Sequence, residues 1–155
     1  MRIKLFTLLS LLLLVASCTS NHDVDYSGCT EIKVINDSSF EIAIFYLMPI
    51  EEGFPERVSI ASNAIFEQAE CALGVTPSLP YFHRMLICFG DDVYTLHQLS
   101  DGDAYHNFCV ENSYEVKQTD KRHRRYTFTF TDEDYEYALA NPAPDDVIEE
   151  VVGVE

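Results

Sequence analysis

The chain has 155 residues and a formal net charge of −16, from 10 Lys+Arg against 26 Asp+Glu, and 47% of it is hydrophobic, with 5 Cys, 9 Tyr, 10 Phe and no Trp. That length suits one domain and argues against a multidomain enzyme, while the apolar fraction argues against a disordered chain. The acidic balance argues against a nucleic-acid partner, because phosphates must be neutralised by cations.

Arg2 and Lys4 open the chain, and an apolar run from Leu5 to Ala16 follows, broken by Thr7 and Ser10. A cationic start, a short apolar stretch and a small-residue exit are the parts of a secretory signal peptide. The run is about 18 Å long as a helix, whereas a spanning helix needs about 20 residues, so a stable transmembrane anchor is not expected. The exit reads Leu14, Val15, Ala16, Ser17, Cys18. It resembles a bacterial lipobox, with Cys18 at the lipidated position. The resemblance implies that residues 1–17 are removed as a lipoprotein signal peptide and that Cys18 becomes the first residue, carrying a diacylglycerol and palmitate-type chains. Thr19, where Asp commonly favours inner-membrane retention in Gram-negative lipoproteins, implies the outer membrane, on its periplasmic or its cell-surface face. Residues 18–28 then form the lipidated N-terminus and a polar tether. Loss of residues 1–17 removes two cations and no acids, leaving 138 residues with a net charge of −18.

The mature chain alternates short apolar stretches with turn residues. Thr30–Ile35 alternates, with Ile32 and Val34 opposing Glu31 and Lys33, and Asn36 to Ser39 is a turn. In Phe40–Met48, Phe40, Ile42, Ile44, Tyr46 and Met48 share one face. The second half is apolar on both faces, which predicts a central strand. Pro49–Glu56 reads as a loop. Val58–Ala61 and Ala64–Ala69 flank Ser62 and Asn63 and read as a hairpin, followed by a loop over Glu70–Pro80. Phe82–Phe89 and Val93–Gln98 flank Gly90, Asp91 and Asp92 as a second hairpin. Tyr114–Thr119 and Arg125–Phe130 flank Asp120–Arg124 as a third. In the last strand Tyr126, Phe128 and Phe130 share a face at period two; a core-facing stripe accounts for them, and a ligand-stacking platform is the sharper alternative.

Thr131 is a good N-cap, and Asp132, Glu133 and Asp134 suit the positive end of a helix. A short helix is predicted over 132–140, docking through Tyr135, Ala138 and Leu139, with Asn141-Pro142 ending it. Residues 141–155 read as a loosely held acidic tail, in which the pairs Val147-Ile148 and Val151-Val152 offer an edge strand. The predicted fold class is mainly β: an antiparallel β-sandwich, Ig-like or transthyretin-like, of about seven to eight strands over residues 29–140 with one short C-terminal helix. Strand spacing this short, without an alternating helix pattern, favours two packed sheets, because one layer would leave half of the apolar faces in water.

Chemistry-bearing residues are sparse. Cys29, Cys71, Cys88 and Cys109 remain beyond Cys18, and in an oxidising envelope they are possible disulfide cysteines with three pairings open. Their spacing matches no zinc or redox motif, and Cys88 lies in a run that reads as a buried strand, where a free thiol packs as a small hydrophobe. No GxSxG elbow, HExxH or Gly-rich phosphate loop is present. Asp101, Asp103, His106 and His97 are close in sequence, but their spacing matches no standard metal loop, so a polar surface loop is expected. Neither a metal, another cofactor nor catalysis is expected. The unusual feature is the segregation of charge. Lys117, Lys121, Arg122, Arg124 and Arg125 crowd residues 117–125 against one acid, Asp120, while the rest of the mature chain carries a net −22. A solvated turn balancing nearby acids accounts for them; contact with an anionic lipid, glycan or protein is the functional alternative.

From Cys18 onward the chain resembles small outer-membrane lipoproteins of the Bacteroidota. The likeness rests on the lipobox, on Ile35, Asn36, Asp37 and Ser38 closing the first strand, and on the run from Tyr126 to Tyr135. It implies a lipid-anchored outer-membrane β-sandwich without known catalytic residues, acting as a non-enzymatic binding or accessory module of a cell-envelope assembly. A glycan-binding lipoprotein of a nutrient-uptake system is one alternative. The other is an inhibitor or immunity lipoprotein, presenting an acidic loop at Glu51–Glu56 or at Asp91 and Asp92.

Overall fold

A computed structural model describes residues 27–47, 57–73, 76–80, 82–102 and 106–153. The signal segment 1–17, Cys18, the tether up to Tyr26, the acidic stretch Glu51–Glu56 and Asp103 lie outside the described residues.

Chain order runs β1 (Ser27–Asn36), β2 (Ile42–Tyr46), β3 (Arg57–Ile60), β4 (Ile65–Leu73), β5 (Arg84–Phe89), β6 (Val93–Gln98), β7 (Glu115–Asp120) and β8 (His123–Phe130), then helices α1 (Asp132–Ala140) and α2 (Asp145–Val152). The strands form two four-stranded sheets, ordered β4-β1-β8-β7 and β3-β2-β5-β6. The protein is therefore mainly β and sandwich-like, with two short C-terminal helices.

Period-two patterning decides what lies between the sheets. Ile32 and Val34 of β1 and Tyr126, Phe128 and Phe130 of β8 face Ile42, Ile44, Met85, Ile87 and Phe89 of the second sheet in one cluster. The β8 stripe is fully buried, so it is core and not a stacking platform. Phe128 meets Phe108 and Tyr114 edge-on, at 4.9 and 5.2 Å, and Phe130 stacks with Phe108 at 6.0 Å, geometries that suit aromatic quadrupoles. As its two apolar faces require, β2 is central, between β3 and β5.

Five expectations are corrected. The segments around Ser62 and Asn63 are not a hairpin: β3 pairs with β2 and β4 pairs with β1, so this turn carries the chain from one sheet to the other. Asn63 supplies the left-handed residue, at φ 61°. The strand after this turn also runs on to Leu73, into the segment expected to be a loop. The first sheet is mixed, not wholly antiparallel, because β1 and β8, distant in sequence, pair in parallel. Leu139 is exposed on α1; the buried residues there are Ala138 and Asp134, whose carboxylate accepts the Thr131 N–H at 2.7 Å.

The fifth correction is the tail. Residues 145–152 form α2, which packs Val147, Ile148, Val151 and Val152 against Leu86, Phe45, Leu47, Tyr94 and Leu96 on the outer face of the second sheet. The pairs recur at i, i+1, i+4, i+5, which is one helical face, while Asp145, Asp146, Glu149 and Glu150 stay exposed. Burial of a Val or Ile side chain contributes about 1.5–3 kcal/mol, enough to hold a two-turn helix that would not form alone.

Candidate functional site

The β7–β8 hairpin carries all five cations singled out by the sequence, and the structure divides them into two groups. In the first, Lys117 and Arg125 sit opposite each other in the register, on the outer face of the first sheet. The Arg125 guanidinium makes a two-pronged contact with Glu31 on β1, Nε to Oε2 and Nη2 to Oε1, both 2.8 Å, and this carboxylate raises its pKa. Lys33 pairs with Glu67 in the same way at 3.1 Å. The outer face is thus a grid of balanced charges, as a solvated sheet face should be.

The second group is Lys121, Arg122 and Arg124, at the tip. Lys121 is exposed, and Arg122 and Arg124 are half-buried. The nearby Tyr126 hydroxyl, and more weakly Glu111, keep Arg124 charged. Asp120, the one acid of the segment, is turned into the hairpin: it accepts the Arg122 N–H at 2.7 Å and contacts His123 Nδ1. The His123 contact first, and then the Arg122 N–H, hold its carboxyl below the ordinary range. It shapes the tip more than it neutralises it.

The tip lies beside the first described residues of the chain. Cys29 stands level with His123 in the parallel pairing and donates its N–H to the Arg122 carbonyl at 2.7 Å. On the other side Cys29 faces Cys71 of β4, and the two are disulfide-bonded. Of the three pairings open to the sequence, the structure contains this bond alone; Cys88 and Cys109 are separate buried thiols.

Two further constellations escaped the sequence. His97 is buried, and its Nδ1 accepts the Phe108 N–H at 3.0 Å, so its proton sits on Nε2. Burial pulls its pKa down to about 4, against the opposing pull of Asp134. His106 stacks on Phe128 at 4.1 Å and contacts Asp134 Oδ1 through Nδ1 at 2.7 Å. His97 on β6 and His106 in the following loop are thus packing and clamping groups that tie the segment before β7 to β6 and α1, and Asp101 stays outside, hydrogen-bonded to Gln98. Among the described residues no three His, Cys, Asp or Glu side chains are grouped to hold an ion. Cys109 gives its thiol to the His97 carbonyl at 3.3 Å, and burial pushes its pKa up to about 12, so it is no nucleophile.

The other constellation is a cavity of about 320 Å³ between the outer face of the second sheet and α2. Its wall includes Glu41, Arg57, Cys88, Asp91 and Tyr94 beside Val151. The Arg57 guanidinium covers the Phe45 ring at 5.2 Å, which leaves that ring unavailable for stacking on a ligand. Cys88 hydrogen-bonds to the Gly90 carbonyl at 3.4 Å, and burial raises its pKa. A signal existed for this space: the helical spacing of the last valines, which implies a helix over the sheet and a seam beneath it.

No family model matches the chain, and no curated protein matches it. Among solved structures it is similar to the dioxygenase domain of a dioxygenase and carbohydrate-binding protein fusion from the cellulolytic bacterium Streptomyces sp. SirexAA-E. That match has 10% identity and a TM-score of 0.35 and covers 70% of this chain and 82% of that one, a likeness too slight to carry an argument about activity.

Proposed function

We propose that the protein is an outer-membrane lipoprotein held by an acylated Cys18. It acts without catalysis, as a binding or accessory module of an envelope assembly, and its β7–β8 tip contacts an anionic partner. The observation that carries this reading is the gathering of Lys121, Arg122 and Arg124 at one hairpin tip of a domain that is otherwise strongly acidic. At physiological salt, charges are screened beyond about 8 Å, so a partner at the tip meets the local cations and not the net negative charge.

The glycan-binding alternative calls for exposed aromatic rings, and every described Phe and Tyr is buried or half-buried. No observation favours it over the cationic tip. The inhibitor alternative would use an acidic loop that lies largely outside the described residues.

Two measurements test the proposal. The wild-type chain should carry acyl chains by intact mass and sediment with membranes, whereas a Cys18→Ser variant should be soluble. A Cys18→Ser chain still held by membranes refutes the anchor. Retention on a polyanionic matrix should fall at least tenfold in a K121E/R122E/R124E variant and should weaken with salt. Unchanged, salt-insensitive retention removes the tip from the function.

A further inference from the structure

We infer that the anionic partner of the tip is the membrane that holds the anchor: the headgroups of acidic lipids, on which the domain docks end-on. This rests on the proposal that Cys18 is acylated, and it names the partner of the same tip.

Three features of the structure converge on one end of the domain. The first is the entrance of the chain. Ser27 pairs with Leu73, and Cys29 with Cys71 and with His123, so the start of β1, the end of β4 and the β7–β8 tip form a single edge. The nine residues from Cys18 to Tyr26 span at most about 30 Å when fully extended. An anchored chain therefore keeps this edge within about 30 Å of the bilayer, and charge decides whether the domain docks through it. Tethering at this range gives the cations a high effective concentration of headgroups, so individually weak contacts suffice.

The second is the distribution of charge along β8. Lys121 and Arg122 precede its first residue, whereas Asp132 and Glu133 of α1 follow its last, Phe130. Eight residues of strand are about 26 Å long, roughly three Debye lengths. The acids at the far end leave the potential at the tip uncancelled. They are also repelled by an anionic leaflet, as are the exposed acids of α2. Attraction at one end and repulsion elsewhere turn the domain the same way. Among the described residues, the opposing acids nearer the tip are Glu70, two strands away across Thr30, Glu31, held by Arg125, Glu111, whose field reaches Arg124, and Asp120, already engaged by His123 and the Arg122 amide; the tether adds Asp23 and Asp25 in sequence.

The third is Leu73. It is 69% exposed at the end of β4, beside the entry of the chain. An apolar side chain on the same end of the sheet as the cations fits the boundary between headgroups and acyl chains, and a lipid anchor with a basic patch is a two-signal attachment more stable than either alone.

The test uses the mature lipidated protein, reconstituted through its own acyl chains into bilayers containing a paramagnetic headgroup lipid. One set is phosphatidylethanolamine with phosphatidylglycerol, the other phosphatidylcholine alone. Backbone amides of Gly28 and of residues 121–123 should relax at least threefold faster than those of Ser39 and Asn63 in the anionic bilayer. The difference should vanish in phosphatidylcholine, in the K121E/R122E/R124E variant and at high salt. The salt titration needs no substitution, so it holds if that variant folds poorly. Equal relaxation at both ends, or a tip signal indifferent to charge and salt, overturns the docking alone. A wild-type chain that proves to carry no acyl chains and leaves both bilayers overturns the anchor and the docking together. A tip that binds soluble heparin while its amides ignore the anionic bilayer assigns the cations to a free polyanion and overturns the proposal.

Discussion

At Asn36 one side chain replaces the hydrogen bonds that a turn between two sheets would otherwise lose. Its amide donates to the carbonyls of Phe40 at 2.7 Å and Ile60 at 2.9 Å, and its oxygen accepts the Ser38 N–H and hydroxyl at 3.1 and 2.6 Å. The residue is fully buried, so truncation takes a donor from the Ile60 carbonyl and an acceptor from the Ser38 N–H, while the Phe40 carbonyl keeps the Ser38 hydroxyl at 3.2 Å. Asn36→Ala should cost about 3 kcal/mol in urea unfolding; a loss under about 1 kcal/mol would show that water replaces the amide. His97 is buried in the opposite sense, as a group that must stay neutral. Its folded pKa of about 4 lies below the unfolded value of about 6.5, so between these limits the unfolded chain binds more protons. Its contribution is therefore complete above pH 6.5 and is lost as the pH falls through the folded value. Between pH 7 and 4.5 the wild type should lose about 2–3 kcal/mol more than a His97→Asn variant, in which the carboxylate titrations are shared. Parallel stability curves for the two proteins would contradict this. Neither role is visible in sequence: Asn36 reads as a turn residue, and His97 as a histidine near the end of the strand Val93–Gln98. The carbonyls and amide that define them come from residues 4 to 24 positions away.

Among the elements, α2 and the β3–β4 connection show where local pattern runs out. Val147-Ile148 and Val151-Val152 suit either a β-rich segment or one face of a helix. What decides is the outer face of the second sheet, where Leu86, Leu96, Phe45 and Leu47 need a cover. Removing residues 144–155 should uncover that face and cost on the order of 5 kcal/mol, comparable to the whole stability of many small domains. The truncated chain should bind a hydrophobic dye and unfold at much lower urea, and a truncation that unfolds like the wild type would mean α2 is not part of the core. The turn at Ser62 and Asn63 is recognisable as a turn, but nothing in a turn records whether its two strands pair with each other or with strands already made. By contrast the inward stripe of β8 and the bounds of α1 are legible, since a period-two aromatic stripe and a capped acidic first turn leave little else for those segments to be, although β8 starts two residues earlier than expected, at His123.

On the scale of the molecule, the net charge of −16 describes neither end of the domain. The fold takes five cations that lie within residues 117–125 and assigns them two tasks. Arg125 is spent against Glu31, with Lys117 opposite it on the same face, while Lys121, Arg122 and Arg124 stay together at the tip. It then sets that tip against the start of β1 through a parallel pairing of strands about 90 residues apart. Acids at the far end of β8 and along α2 complete a molecule polarised along the axis by which the proposed anchor would hold it. The separation of lipidated and docked states by salt, charge reversal and Cys18→Ser follows from that polarity.

By itself, the sequence determined the mainly β character, the buried faces of β1, β2 and β8, the helix α1 and its cap, and the cationic segment between β7 and β8. All of these follow from periodicity, capping or charge within about ten residues, where the physics is local. Only the tertiary structure decided that Cys29 bonds Cys71, that β3 and β4 belong to different sheets, that the tail is a helix, and that the cations lie where the chain enters the domain. Each of those depends on which distant segments become neighbours, and that is set by burial of whole faces against one another, which no short window of residues contains.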